Sequence, residues 1–227
     1  MHSLLLHLAL GSPSTSARTE ATLAPQAVVD GVSGLPPTAY VSTFSLLSVH
    51  PHCDHSPCDA FTEGLAFGSD GALYESAGGY GEGSVRGVRS IDLRTGGANG
   101  TALAQRDGQF AEGLTVLPGE RLVQLTYREN EVNEYVARST GLAYVRTTNV
   151  ALGAEGWGLT RSADGTTLYA TDSTDQLLHV NASTLQLMRS VPIVDPQLDG
   201  GRHVWGVNEL ELVGDEVRFR CEPPERP

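Results

Sequence analysis

The chain has 227 residues, with 15 Lys+Arg against 27 Asp+Glu and a formal charge of -12 at neutral pH. That length suits one substantial domain, and so acidic a surface disfavours nucleic acid and anionic lipid as partners. No stretch reaches the roughly 18 consecutive apolar residues that a membrane-spanning helix needs.

Met1 to Ala17 reads as a secretory signal, with an apolar run from Leu4 to Leu10 and a Thr15-x-Ala17 cleavage-like site. Residues 18–38 are rich in Ala, Ser, Thr, Pro and Val without an apolar period, so 1–38 is assigned to leader and linker. Ala39 to Val49 is expected to form an isolated strand. Cys53 and Cys58 lie close together with His52 and His55 between and beside them, and Cys221 stands alone. A local disulfide, free thiols and a metal site are all open readings of that segment.

From Ala39 onward the chain resembles itself at intervals of 45 to 51 residues, marked by Glu63-Gly64-Leu65, Glu112-Gly113-Leu114, Trp157-Gly158-Leu159 and Glu209-Leu210. A turn signal and a second strand follow, as in Asp70-Gly71 before Leu73–Ser76 and Asp164-Gly165 before Leu168–Thr171. A third stretch carries alternation, around Val88–Leu93, Val132–Val136 and Leu178–Asn181. A fourth closes each unit, as in Thr101–Gln105 and Leu187–Val194. Four short strands per repeat of this length predict an all-β chain with propeller blades over 39–217. An antiparallel sandwich or another all-β solenoid is the alternative, but a sandwich has no recurring phrase of this length. Two sequons, Asn99-Gly100-Thr101 and Asn181-Ala182-Ser183, agree with a secretory-pathway or extracellular location.

Phe61-Thr62-Glu63-Gly64-Leu65, Leu73-Tyr74-Glu75-Ser76-Ala77-Gly78-x-Tyr80-Gly81-x-Gly83-Ser84-Val85-Arg86, Phe110-Ala111-Glu112-Gly113-Leu114-Thr115 with Gln124-Leu125-Thr126, Gly156-Trp157-Gly158-Leu159-Thr160 and Val207-Asn208-Glu209-Leu210-Glu211 occur in this order. Together they resemble the signature phrases of the plant-type glutaminyl cyclases over roughly residues 40 to 217. The resemblance implies a five-bladed β-propeller. It also implies an acyltransferase of the glutaminyl-peptide cyclotransferase type, which turns the N-terminal glutamine of a peptide or protein into pyroglutamate and releases ammonia. No cofactor and no metal are implied. Glu112 would be the catalytic proton shuttle, and Phe61, Phe110 and Trp157 the apolar wall that desolvates it. Glu63, where relatives often have Gln, and Asn208 would contact the substrate's polar groups. Tyr127 stands where relatives usually place Trp.

Arg86 and Asp92 read as blade hydrogen-bonding and turn residues. After Val217 the sequence leaves the family pattern, and the Pro-rich segment 218–227 is expected to be an aberrant tail, with the last blade or so missing. A non-catalytic propeller that binds proteins and an inactive truncated product are the competing functional readings.

Overall fold

The computed structural model describes residues 60–80, 85–195, 201–214 and 216–221. The leader, the expected strand Ala39 to Val49, the Cys53 and Cys58 segment and the terminal prolines lie outside the described residues.

Three four-stranded antiparallel sheets follow one another along the chain, each a meander in sequence order. The first contains β1 (Phe61–Phe67), β2 (Leu73–Gly78), β3 (Gly87–Ile91) and β4 (Ala98–Leu103). β5 (Ala111–Leu117), β6 (Arg121–Thr126), β7 (Glu131–Arg138) and β8 (Gly141–Asn149) make the second. The third is β9 (Leu159–Arg161), β10 (Thr167–Ala170), β11 (Gln176–Asn181) and β12 (Leu187–Pro192). A short pair, β13 (Val194–Asp195) with β14 (Arg202–His203), leads to the hairpin β15 (Val207–Val213) and β16 (Glu216–Cys221). No helix occurs among the described residues, and none is long and apolar enough to cross a membrane.

The turns form where short acidic side chains satisfy the backbone. Asp70 Oδ1 accepts the N–H of Ala72 at 3.0 Å, and Asp164 Oδ1 does the same for Thr166 at 3.0 Å. Asp92 accepts the N–H of Arg94 at 2.8 Å, so it is a turn residue, as its place in the repeat suggests. Regular pairing also runs through Arg218 to Cys221, with Arg218 opposite Glu211 and Cys221 opposite Val207. The ladder therefore extends into the first part of the segment read as a separate tail, because Val217 and Phe219 continue the two-residue alternation of a strand.

The core lies between sheets rather than inside one. Ala66, Tyr74 and Val88 of the first sheet pack with Leu114, Val116, Leu122 and Tyr135 of the second. Leu117, Val123, Leu125 and Val132 of the second pack with Leu159, Leu168, Leu178 and Val180 of the third. Each such side chain contributes roughly 1.5–3 kcal/mol when removed from water, so the seams between sheets carry most of the apolar stabilisation. β2 and β5 are buried along their whole length, as strands covered on both faces must be. β1, β5, β9 and β15 approach one another successively and together line a small central pocket. The arrangement is propeller-like, with the first strand of each unit innermost.

Candidate active site

The recurring Gly-Leu anchors stand where the inner strands come closest. A Cβ at Gly64 would lie 2.6 Å from the Leu114 nitrogen, one at Gly113 2.5 Å from the Leu159 nitrogen, and one at Gly158 2.9 Å from the Glu209 nitrogen. Only hydrogen fits at each seam, which is why the phrase repeats with glycine. Glu209 occupies the equivalent place in β15, with a left-handed φ of 53°.

Strand pairing slips at the same anchors: between Thr62 and Gly64, between Ala111 and Leu114, and between Asn208 and Glu211. A bulge inserts a residue into one strand and re-aims its side chain out of the ladder. In the second sheet it also releases one peptide unit from its own ladder. The carbonyl of Glu112 accepts the Ser76 hydroxyl of the first sheet at 2.5 Å, and the N–H of Gly113 donates to the Trp157 carbonyl at 2.9 Å. The peptide plane that carries Glu112 is thus slung between both neighbouring sheets.

The Glu112 side chain is 5% exposed, and its Oε2 has no hydrogen-bond partner among the described residues. Burial, reinforced by the carboxylates Glu63, Glu209, Glu155 and Glu129, raises its pKa to about 9. It is therefore a neutral acid at pH 7, able to donate a proton and to take one back. Glu155 has the opposite character. Burial pushes it upward, but hydrogen bonds from Arg128, Tyr127 and Trp157 outweigh this and hold it below the ordinary carboxylate range.

Aromatic rings gather around Phe110, which immediately precedes β5 and stands two residues before Glu112. Phe110 meets Phe61 at 6.3 Å, Tyr80 at 5.1 Å and Tyr127 at 6.0 Å between centroids. Phe61 and Tyr80 are largely exposed, so they form the rim of the wall rather than the cover over the acid. Polar side chains fix the rings. Glu129 accepts the Tyr80 hydroxyl at 3.1 Å and the Phe110 N–H at 3.3 Å. Glu155 accepts the Trp157 indole N–H at 3.1 Å and two N–H groups of Arg128. That guanidinium lies 4.5 Å from the Tyr127 ring centre.

Of the residues singled out from sequence, Phe61, Phe110 and Tyr127 are in ring contact through Phe110. Glu63 is near enough to act on Glu112, and Trp157 joins the group through its carbonyl and indole. Asn208 stands half-buried at the β15 anchor with its Oδ1 accepting the Glu209 N–H at 2.8 Å. Tyr80 lay inside a quoted signature phrase but without a site role, and Arg128, Glu129 and Glu155 carried no sequence signal of one. All four sit on the loops just outside the ends of β2 and β6 and just before β9. No group of three or more His, Cys, Asp or Glu is arranged to hold a metal ion among the described residues.

The chain is an all-β, propeller-like protein in which a buried carboxyl, Glu112, follows two residues after an aromatic cluster centred on Phe110. The family profile described as glutamine cyclotransferase matches residues 14–219, and the chain belongs to that family. It is 37% identical over 166 residues to the glutaminyl-peptide cyclotransferase of Arabidopsis thaliana, covering 72% of this chain and 46% of that protein. The crystal structure of Myxococcus xanthus glutaminyl cyclase superposes with a TM-score of 0.58 at 28% identity, over 72% of this chain and 62% of that one. The chain thus spans about half the length of the curated relative it matches.

Proposed function

We propose that this chain carries the catalytic acid and the aromatic wall of a glutaminyl-peptide cyclotransferase, acting on the N-terminal glutamine of peptides or proteins. The observation that carries the reading is the Glu112 carboxyl, buried and with a raised pKa two residues after the Phe110 ring cluster, within a chain of the glutamine cyclotransferase family. In the reaction the substrate's α-amine nitrogen attacks the side-chain amide carbon. A C–N bond forms to close the five-membered lactam, and the bond to the amide nitrogen breaks. The ring nitrogen loses one proton and the leaving nitrogen gains one, so ammonia departs and nothing is oxidised or reduced. Glu112 in its protonated form supplies the proton to the leaving nitrogen and recovers one from the attacking amine. Phe110, Phe61, Tyr127 and Trp157 pack the glutamine methylenes and keep the curled side chain close to its amine. Glu63 and the Asn208 amide meet the substrate's polar ends.

We also infer that the three sheets and the hairpin β15–β16 are successive members of a five-bladed ring, supported by the even spacing of the anchors. The protein is read as a secretory-pathway glycoprotein on its signal-like start and on the exposure of Asn99, and treatment with a glycan-removing amidase checks this by a fall in mass.

The activity is tested by incubating the purified chain with a Gln-initiated peptide and following ammonia release and the loss of one ammonia in mass. Turnover is expected, with Glu112→Gln reducing it roughly 10²-fold or more. Wild-type turnover equal to that of Glu112→Gln would sink the reading.

A further inference from the structure

The Glu112 carbonyl is held by a side chain of another sheet. Ser76 is fully buried on β2, opposite Gly64 and Val88, and its hydroxyl reaches the neighbouring inner strand at the point where β5 bulges. Because pairing slips between Ala111 and Leu114, the carbonyl at the bulge must find a partner outside its own ladder. Ser76 is that partner.

The hydroxyl is itself held. Gln124 Nε2 donates to Ser76 Oγ at 2.9 Å, which leaves the hydroxyl hydrogen to point at Glu112. Gln124 Oε1 in turn accepts the Tyr135 hydroxyl at 2.9 Å and an Asn133 N–H at 3.3 Å. Asn133 also donates to Gln109 Oε1 at 3.1 Å and accepts the Thr147 hydroxyl at 2.6 Å. Gln109 ends the chain on Glu131, which Arg106 also binds. Ser76, Gln124, Tyr135, Asn133 and Gln109 are all buried. A buried chain of neutral donors and acceptors, each engaged, has one low-energy arrangement, so it transmits rigidity rather than charge.

We propose that Ser76 is a positioning residue for the reaction, and that the Ser76–Gln124 pair sets the place and dryness of the Glu112 carboxyl by gripping its backbone. The inference rests on the catalytic reading of Glu112 but concerns residues that touch no substrate. Without the hydroxyl, the 112–113 peptide keeps only its bond to Trp157 and tips toward the third sheet. The carboxyl then loses its fixed distance to the reacting nitrogen, and water reaches it.

The test is Ser76→Ala, read in two ways. The Glu112 carboxyl is titrated by carbon-13 NMR of glutamate-labelled protein, its signal assigned by its disappearance in Glu112→Gln. The midpoint is expected to fall by about one pH unit or more, a roughly tenfold loss of proton affinity. Turnover of a Gln-initiated peptide is expected to drop roughly 10²-fold in kcat with KM little changed, as misplacement of a catalytic group produces. Ser76→Thr, which keeps the hydroxyl, restores most of both. If Ser76→Ala fails to fold, Gln124→Leu carries the test, since it leaves the hydroxyl present but free to turn and is expected to move both readings partway. A folded Ser76→Ala or Gln124→Leu chain with an unaltered Glu112 midpoint overturns the inference. Absence of turnover in the unsubstituted chain overturns the proposed function instead, and the titration still decides the role of Ser76.

Discussion

Glu112 costs the fold stability. Its pKa rises from 4.5 to about 9 on folding, so the native state holds a proton that the unfolded chain releases. Below pH 4.5 both states are protonated and the group contributes nothing. As pH rises from 4.5 toward 9 the penalty grows, reaching on the order of 3 kcal/mol at pH 7, and above 9 it is constant. Glu112→Gln, which cannot ionise, should therefore raise the melting temperature at pH 7 to 8 while leaving it unchanged near pH 4. Equal melting temperatures of the two chains across that range would show that the carboxyl is not neutral in the native protein. Glu112 stood out in the sequence through the resemblance of its Phe110-Ala111-Glu112 phrase to the cyclase signature, while its burial and raised pKa needed the fold. The roles of Glu129 and Glu155 were not legible there, since an acidic residue on a loop looks like solvent-exposed charge until the ring it holds is seen.

Strands and turns were legible for a physical reason: each run is short, alternates, and ends on Asp, Gly or Asn where the backbone must reverse. The glycine anchors showed the repeat but not its cause, which is the approach of one inner strand to the next. Gly113→Ala places a methyl 2.5 Å from both the Leu159 nitrogen and the Trp157 carbonyl oxygen. Backbone atoms cannot rotate aside, so sheets two and three must separate, at a cost of about 1–3 kcal/mol as in overpacked interiors. Chemical denaturation should show that loss, which is steric alone because Gly113 lies outside the left-handed region. What remained hidden at this scale was the bulge, because a slipped register leaves no mark in residue type. The Ser76–Gln124 pair was hidden too, its partners being joined across sheets rather than along one strand.

At the scale of the molecule, the formal charge of -12 meets a site where Glu63, Glu129, Glu155 and Glu209 all bear on Glu112. Their summed field favours an incoming cation. Peptides with Lys or Arg after the glutamine should therefore bind with lower KM than acidic ones, and the difference should shrink as salt is raised from 0.01 M toward 1 M, where the Debye length falls from about 30 Å to about 3 Å. A salt-independent ratio of KM values for the two peptides would show that the acidic surroundings do not steer substrate. The propeller-like plan was readable from the interval between anchors and the negative sign from composition, whereas the convergence of carboxylates on Glu112 needed the fold.

The peptide unit between Glu112 and Gly113 takes its support from Ser76 on one side and Trp157 on the other. Repetition by gene duplication can copy a single unit, but it cannot copy such a support, which exists only once two unlike neighbours flank the third. Drift at positions 76, 112–113, 124 and 157 is consequently a shared inheritance. Among descendants of one ancestor these positions should change together or stay fixed, while exposed outer strands such as Leu187–Pro192 vary independently.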